Sequence, residues 1–95
     1  MDTSKEFDRA VLFVRDGPMP QFSGNVNQQK LIFYKYFKQG SQGDNNVHRP
    51  GGFDFVGKAK WDAWNSVRGM SQNEAKKAYV EHLTKMNPKW REWKK

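Results

Sequence analysis

RPGGFDFVGKAKWDAWNSVRGMSQNEAKKAYV, residues 49–80, decides the fold class. Trp61, Trp64 and Val67 recur three apart, so one apolar stripe runs along a helix from 56 or 57 to 68. Gly69 closes that helix, because glycine enters the left-handed conformation that terminates helices at little cost. Ser71 with Glu74 then forms a capping box, each side chain accepting from the other residue's orphan backbone N–H. Ala75, Tyr79, Val80 and Leu83 sustain the next stripe to about 86, where Asn87-Pro88 ends it, since proline has no N–H to donate. Two successive helical periods with no alternating run between them predict an all-α chain.

The remainder of the chain agrees. Thr3 and Glu6 make a second capping box, and Phe7, Ala10, Val11 and Val14 carry a helix over 3–15 that Gly17, Pro18 and Pro20 terminate. A polar stretch, QFSGNVNQQ, leads to a helix over 26–39. Its apolar residues Leu31, Ile32, Phe33, Tyr34, Tyr36 and Phe37 cover more than one face, as expected of a helix with core on one side and a ligand on the other. Residues 40–52, GSQGDNNVHRPGG, predict a long ordered loop. The basic tail KWREWKK, 89–95, places Trp90 three before Trp93. The favoured expectation for it is an extension of the fourth helix packed on the bundle; contact with a membrane interface is the alternative.

Ninety-five residues predict one domain with a modest core, burying about 60–65% of the unfolded surface. No cysteine is present, which excludes disulfides and thiolate metal sites. The acidic N-terminus is no signal peptide and no apolar run approaches a membrane span, so a soluble cytoplasmic protein is expected. His48 and His82 stand without a carboxylate or cysteine cluster, so neither metal nor catalysis is expected. The net charge of +7 points to an anionic partner, and 15% aromatic residues exceed what a purely electrostatic binder requires.

Two blocks, FYKYFKQGSQGDNN at 33–46 and residues 49–80, resemble the acyl-CoA-binding protein (ACBP) family. The family pattern is approximately Y-x-x-[YF]-K-Q-x-x-x-G-D-x-N followed by R-P-G-x-x-D-[FW]-x-G-[KR]-x-K-W-x-A-W. Here it is met by Tyr34, Phe37, Lys38, Gln39, Gly43, Asp44 and Asn46. Arg49, Pro50, Gly51, Asp54, Phe55, Gly57, Lys58, Lys60, Trp61, Ala63 and Trp64 complete it. The first helix matches more weakly, through Phe7, Ala10 and Val11.

The resemblance implies a four-helix bundle of up-down-down-up topology and an intracellular carrier of fatty acyl-CoA. Members hold the 3′-phosphate-ADP head and shield the acyl chain; no cofactor is implied. Carried over, Tyr34, Lys38 and Lys60 are the 3′-phosphate ligands, Phe37 lies against the adenine and Tyr79 contributes to the nucleotide site. Tyr34 and Lys38, at i and i+4, share a helical face. Arg15 is placed near the pyrophosphate. Leu31, Phe33, Ala59 and Val11 are the acyl-chain candidates, together with Lys30, which stands where an apolar residue is expected. The connection 17–25 is longer than in the smallest members and is assigned to the acyl groove.

Competing readings carry less. A basic helical nucleic-acid module would fit the charge, but Lys38 and Lys60 occupy motif positions rather than one continuous basic face. An interaction domain that kept the fold and lost the ligand would not need Tyr34, Lys38, Lys60 and Tyr79 together. Trp61 and Trp64 are read chiefly as packing residues. The GSQG turn lacks the G-x-x-x-x-G-K-[ST] spacing of a phosphate cradle and is read as a connection. The expected assembly is a monomer, with transient contact at membranes or acyl-CoA-using enzymes.

Overall fold

The computed structural model describes residues 3–18 and 26–94. The connection assigned to the acyl groove lies, except for its first two residues, outside the described residues. Four helices follow in order, α1 (Thr3–Asp16), α2 (Val26–Gln42), α3 (Phe55–Asn65) and α4 (Gln72–Met86), then a short 3₁₀ turn (Trp90–Glu92). Among the described residues there is no strand, and no helix is long and apolar enough to cross a membrane. α4 is central to the assembly: it packs against both α1 and α2, while α3 packs against α2.

The core is aromatic. Phe7, Ala10 and Phe13 of α1 meet Phe33 of α2 and Tyr79, Val80 and Leu83 of α4, all buried. Tyr79 sits with its ring edge-on to both Phe7 and Phe33, at centroid distances of 5.2 Å each, the arrangement ring quadrupoles favour. Phe13, three residues after Ala10 and 1% exposed, belongs to this cluster, although the stripe read from the sequence passed over it.

α2 runs three residues beyond its expected end because Gly40 does not break it. Gly40 is buried where α2 crosses α4, and a Cβ there would sit 3.1 Å from Lys76 Cγ and 3.4 Å from the Phe7 ring. It therefore serves close helix approach, and termination falls to Gly43, whose φ of +81° lets its N–H donate to the Gln39 carbonyl at 3.0 Å. α3 begins at Phe55 because Asp54 caps it, accepting from the Gly57 N–H at 2.9 Å. It ends at Asn65, and 66–69 form turns rather than a last helical turn. The Ser71–Glu74 box caps α4 as expected.

The loop from 43 to 54 has no regular structure, so side chains satisfy its backbone. Trp64 Nε1 donates to the Gly43 carbonyl at 2.9 Å, Trp61 Nε1 to Val47 at 2.6 Å, and Arg68 to Asn45 at 2.6 Å. Buried Gln39 donates to Asp44 at 2.9 Å and to the Met70 carbonyl at 2.7 Å. The Gly69 N–H and Gln39 together hold the Asp44 carboxyl below the usual carboxylate range. Arg49 and Asp62 pair through two 2.9 Å bonds, which lowers the Asp62 carboxyl likewise. Trp64 is thus buried, as expected, Trp61 is only half-buried, and both donate into the loop.

The tail does not extend α4. After Asn87 the chain turns back across α1: Trp90 is 1% exposed, its indole N–H donates to Thr84 Oγ1 at 2.9 Å, and Trp93 stands edge-on to Phe13 at 5.5 Å. Arg91 donates to Glu6 at 2.9 Å, and Arg9 donates to the carbonyls of Arg91 and Trp93. The expectation that the tail packs on the bundle holds, by a 3₁₀ turn in place of a longer helix. Glu6, read as a capping residue, is the partner of Arg91.

Candidate functional site

Two recesses lie side by side. The first, about 270 Å³, is bounded by α1, α2 and α4 and lined by Val11, Val14, Arg15, Lys30, Phe33, Tyr34, Phe37 and Tyr79. The second, about 300 Å³, lies between α2 and α3 and is lined by Lys30, Leu31, Phe55, Val56, Ala59 and Lys60, with chiefly apolar walls. Lys30 belongs to both. It lies one helical turn before Tyr34, so a ligand passing from one recess to the other crosses Lys30.

The helical spacing of α2 sets this up. Tyr34, Phe37 and Lys38 stand at i, i+3 and i+4 and leave the bundle on one side, while Phe33 and Gln39 point into it. Lys60 arrives from α3 with its ammonium 5.5 Å from the Tyr34 ring centroid, and Lys38 lies 4.7 Å from that of Trp64. Among the described residues the ion pairs are Arg15–Asp16, Arg49–Asp62 and Arg91–Glu6. None engages Lys30, Lys38 or Lys60, so three ammonium groups around the recesses have no carboxylate partner. That arrangement favours an anion.

Of the residues expected at a nucleotide head, Arg15, Tyr34, Phe37 and Tyr79 line the first recess, and Lys60 reaches Tyr34 from the second. Lys38 stands one turn further along α2, over Trp64. Tyr79 is at once a core residue and part of the recess floor; its burial pushes the phenol well above its usual range, which keeps it a neutral hydrogen-bonding group. Phe37 is the more exposed aromatic, 36% accessible, with its ring stacked on Phe7 at 6.4 Å.

The residues expected along an acyl chain divide. Leu31, Ala59 and Lys30 line the apolar recess, whereas Val11 and Phe33 line the other. Phe33 is 5% exposed and held edge-on between Tyr79 and His82, so it is floor and core rather than an open contact surface. A stripe on an amphipathic helix does not reveal which neighbour covers it, and α4 covers Phe33. Phe55, Val56 and Val14 line recesses that sequence reading did not assign to them. Phe55 and Val56 are apolar residues at the start of α3, and both stay exposed at 68%. Among the described residues no group of three or more His, Cys, Asp or Glu side chains is placed to hold a metal.

The family described as Acyl CoA binding protein matches residues 4–83. The chain is 42% identical over 86 residues to acyl-CoA-binding protein homolog 3 of Caenorhabditis elegans, covering 90% of this chain and 74% of that one. It is 40% identical over 80 residues to acyl-CoA-binding domain-containing protein 5 of Gallus gallus, covering 84% of this chain but 16% of that longer protein. Among solved structures, ACBP from Moniliophthora perniciosa superposes with a TM-score of 0.81 at 46% identity, covering 95% of this chain and 84% of that one.

Proposed function

The chain belongs to the acyl-CoA-binding protein family, and on that premise we propose that it is a non-catalytic carrier of medium- to long-chain fatty acyl-CoA, acting as a single domain. The observation that supports this reading most is the pair of adjoining recesses, one bordered by aromatics and cations, the other apolar, sharing Lys30. An acyl-CoA has the same division: a polyanionic nucleotide head and a hydrocarbon tail.

Tyr34, Lys38 and Lys60 are assigned to the 3′-phosphate. A phenol and two ammonium groups supply only donors to an ester phosphate, and each charge-assisted bond contributes about 1.5–3 kcal/mol, toward the low end where solvent has access. Phe37 supplies a face for adenine; a stacked base is worth about 1–3 kcal/mol. Arg15 borders the same recess on the α1 side; its solvent-exposed pairing with Asp16 would have to give way for it to reach the pyrophosphate. Leu31, Ala59, Phe55 and Val56 shield the chain, where each buried methylene contributes about 0.8 kcal/mol. Lys30 lies between head and tail with its alkyl stem available to the apolar recess and its ammonium to solvent.

The test is calorimetric titration with palmitoyl-CoA, with free CoA and palmitate as separate controls. Tight one-to-one binding of the thioester and much weaker binding of each half is the expected result. Absence of saturation with any acyl length would remove the carrier reading and leave a bundle that kept its fold without its ligand.

A further inference from the structure

We propose that the tip formed by Phe53, Phe55 and Val56 is a docking surface for an anionic phospholipid bilayer. Phe53 is 91% exposed, and Phe55 and Val56 are each 68% exposed. These are not scattered apolar residues: the Phe53 and Phe55 rings lie edge to face, 6.3 Å apart. Nor is the tip frayed. The Phe55 N–H donates to the Phe53 carbonyl at 2.8 Å, Gly52 takes the left-handed conformation with φ +62°, and Asp54 caps α3 immediately behind. A formed turn therefore projects two aromatic rings and a valine into solvent, which needs a reason beyond the fold.

Charge selects the occupant. The Lys58 ammonium lies 5.6 Å from the Phe55 ring centroid and donates to the Gly52 carbonyl at 2.7 Å, and Lys30 and Lys60 stand on the recess that Phe55 and Val56 also line. The neighbouring acids are engaged, Asp54 in its cap and Asp62 with Arg49. Aromatic side chains flanked by lysines suit the boundary between headgroups and acyl chains, with rings below and ammonium groups at the phosphates. A second copy of the chain would set the same lysines against one another. The tail is not the docking element, because Trp90 is buried and Trp93 half-buried against α1. Resting on the ligand reading above, the tip also sets the mouth of the apolar recess against the bilayer.

The experiment is co-sedimentation of the full chain with vesicles, without any acyl-CoA, so that its outcome is independent of ligand binding. Vesicles of phosphatidylcholine with roughly one third phosphatidylserine are expected to retain the chain at least tenfold more than phosphatidylcholine alone. Phe53→Ser is expected to reduce that retention about tenfold while leaving the unfolding midpoint and the palmitoyl-CoA titration unchanged. Trp93→Ser is expected to retain binding. A parent chain that stays in the supernatant, or a Phe53→Ser variant that sediments like the parent, overturns the proposal. So does a parent that is dimeric in sedimentation equilibrium while Phe53→Ser is monomeric, since the tip would then join two copies.

Discussion

The α1–tail side and the α2–α3 side of the molecule use the same residue types to opposite ends. On the first, Phe13, Trp90 and Trp93 interlock, Trp90 Nε1 finds Thr84, and Arg91 finds Glu6. On the second, Tyr34, Phe37, Phe53 and Phe55 stay half-buried or exposed, and Lys30, Lys38 and Lys60 have no carboxylate partner among the described residues. Aromatic and basic residues do not by themselves mark a site. What marks it is whether the protein's own groups have already satisfied them.

Substitutions should therefore act on stability at one side and on affinity at the other. The largest effect is expected from Trp90→Ala, which removes a fully buried side chain and costs about 3–5 kcal/mol of stability in urea unfolding. The folded fraction should bind palmitoyl-CoA as the parent does; a parallel loss of affinity would show that the two sides are not separable. Gln39→Ala is next, at about 1–3 kcal/mol, because it removes the donor that joins Asp44 to the Met70 carbonyl. Its signature is faster amide exchange over 43–54. Lys60→Ala should do the converse, weakening palmitoyl-CoA binding by about 1–3 kcal/mol in calorimetry while the unfolding midpoint stays in place. Equal affinity in that variant would take Lys60 out of the site.

The smallest effect is on pH dependence. His82, edge-on to Phe33 and hydrogen-bonded to Gln29, is held below its ordinary value of 6.5 first by burial and then by the charges of Lys85 and Lys35. As pH falls through that ordinary value, the unfolded chain takes up the proton before the folded one does. Stability from this residue is thus present above that range and declines as pH falls toward the lower folded value. His82→Gln should flatten that part of the stability–pH curve. An unchanged slope would mean that the folded environment does not disfavour the imidazolium.

Most helix existence was legible, because helices are local: the Ser71–Glu74 box, the three-residue spacing of Trp61, Trp64 and Val67, and Gly69 in the left-handed region act within a few residues of themselves. Helix ends were less so. Gly40 looked like a stop and proved to be a contact, since Lys76 and Phe7, which make it necessary, lie far along the chain. The candidate site residues on α2 were legible as a face, but α4 decides that Phe33 is floor while Phe37 remains open.

The sequence by itself determined four helices, a family pattern and an excess of positive charge, since each is written in residue type and short spacing. Only the tertiary structure decided which aromatics are core, that Arg91 reaches Glu6 from 85 residues away, and that Lys30 belongs to two recesses at once. Burial and pairing depend on which distant surface arrives to cover a side chain. No local period encodes that arrival; it follows from packing the whole chain at once.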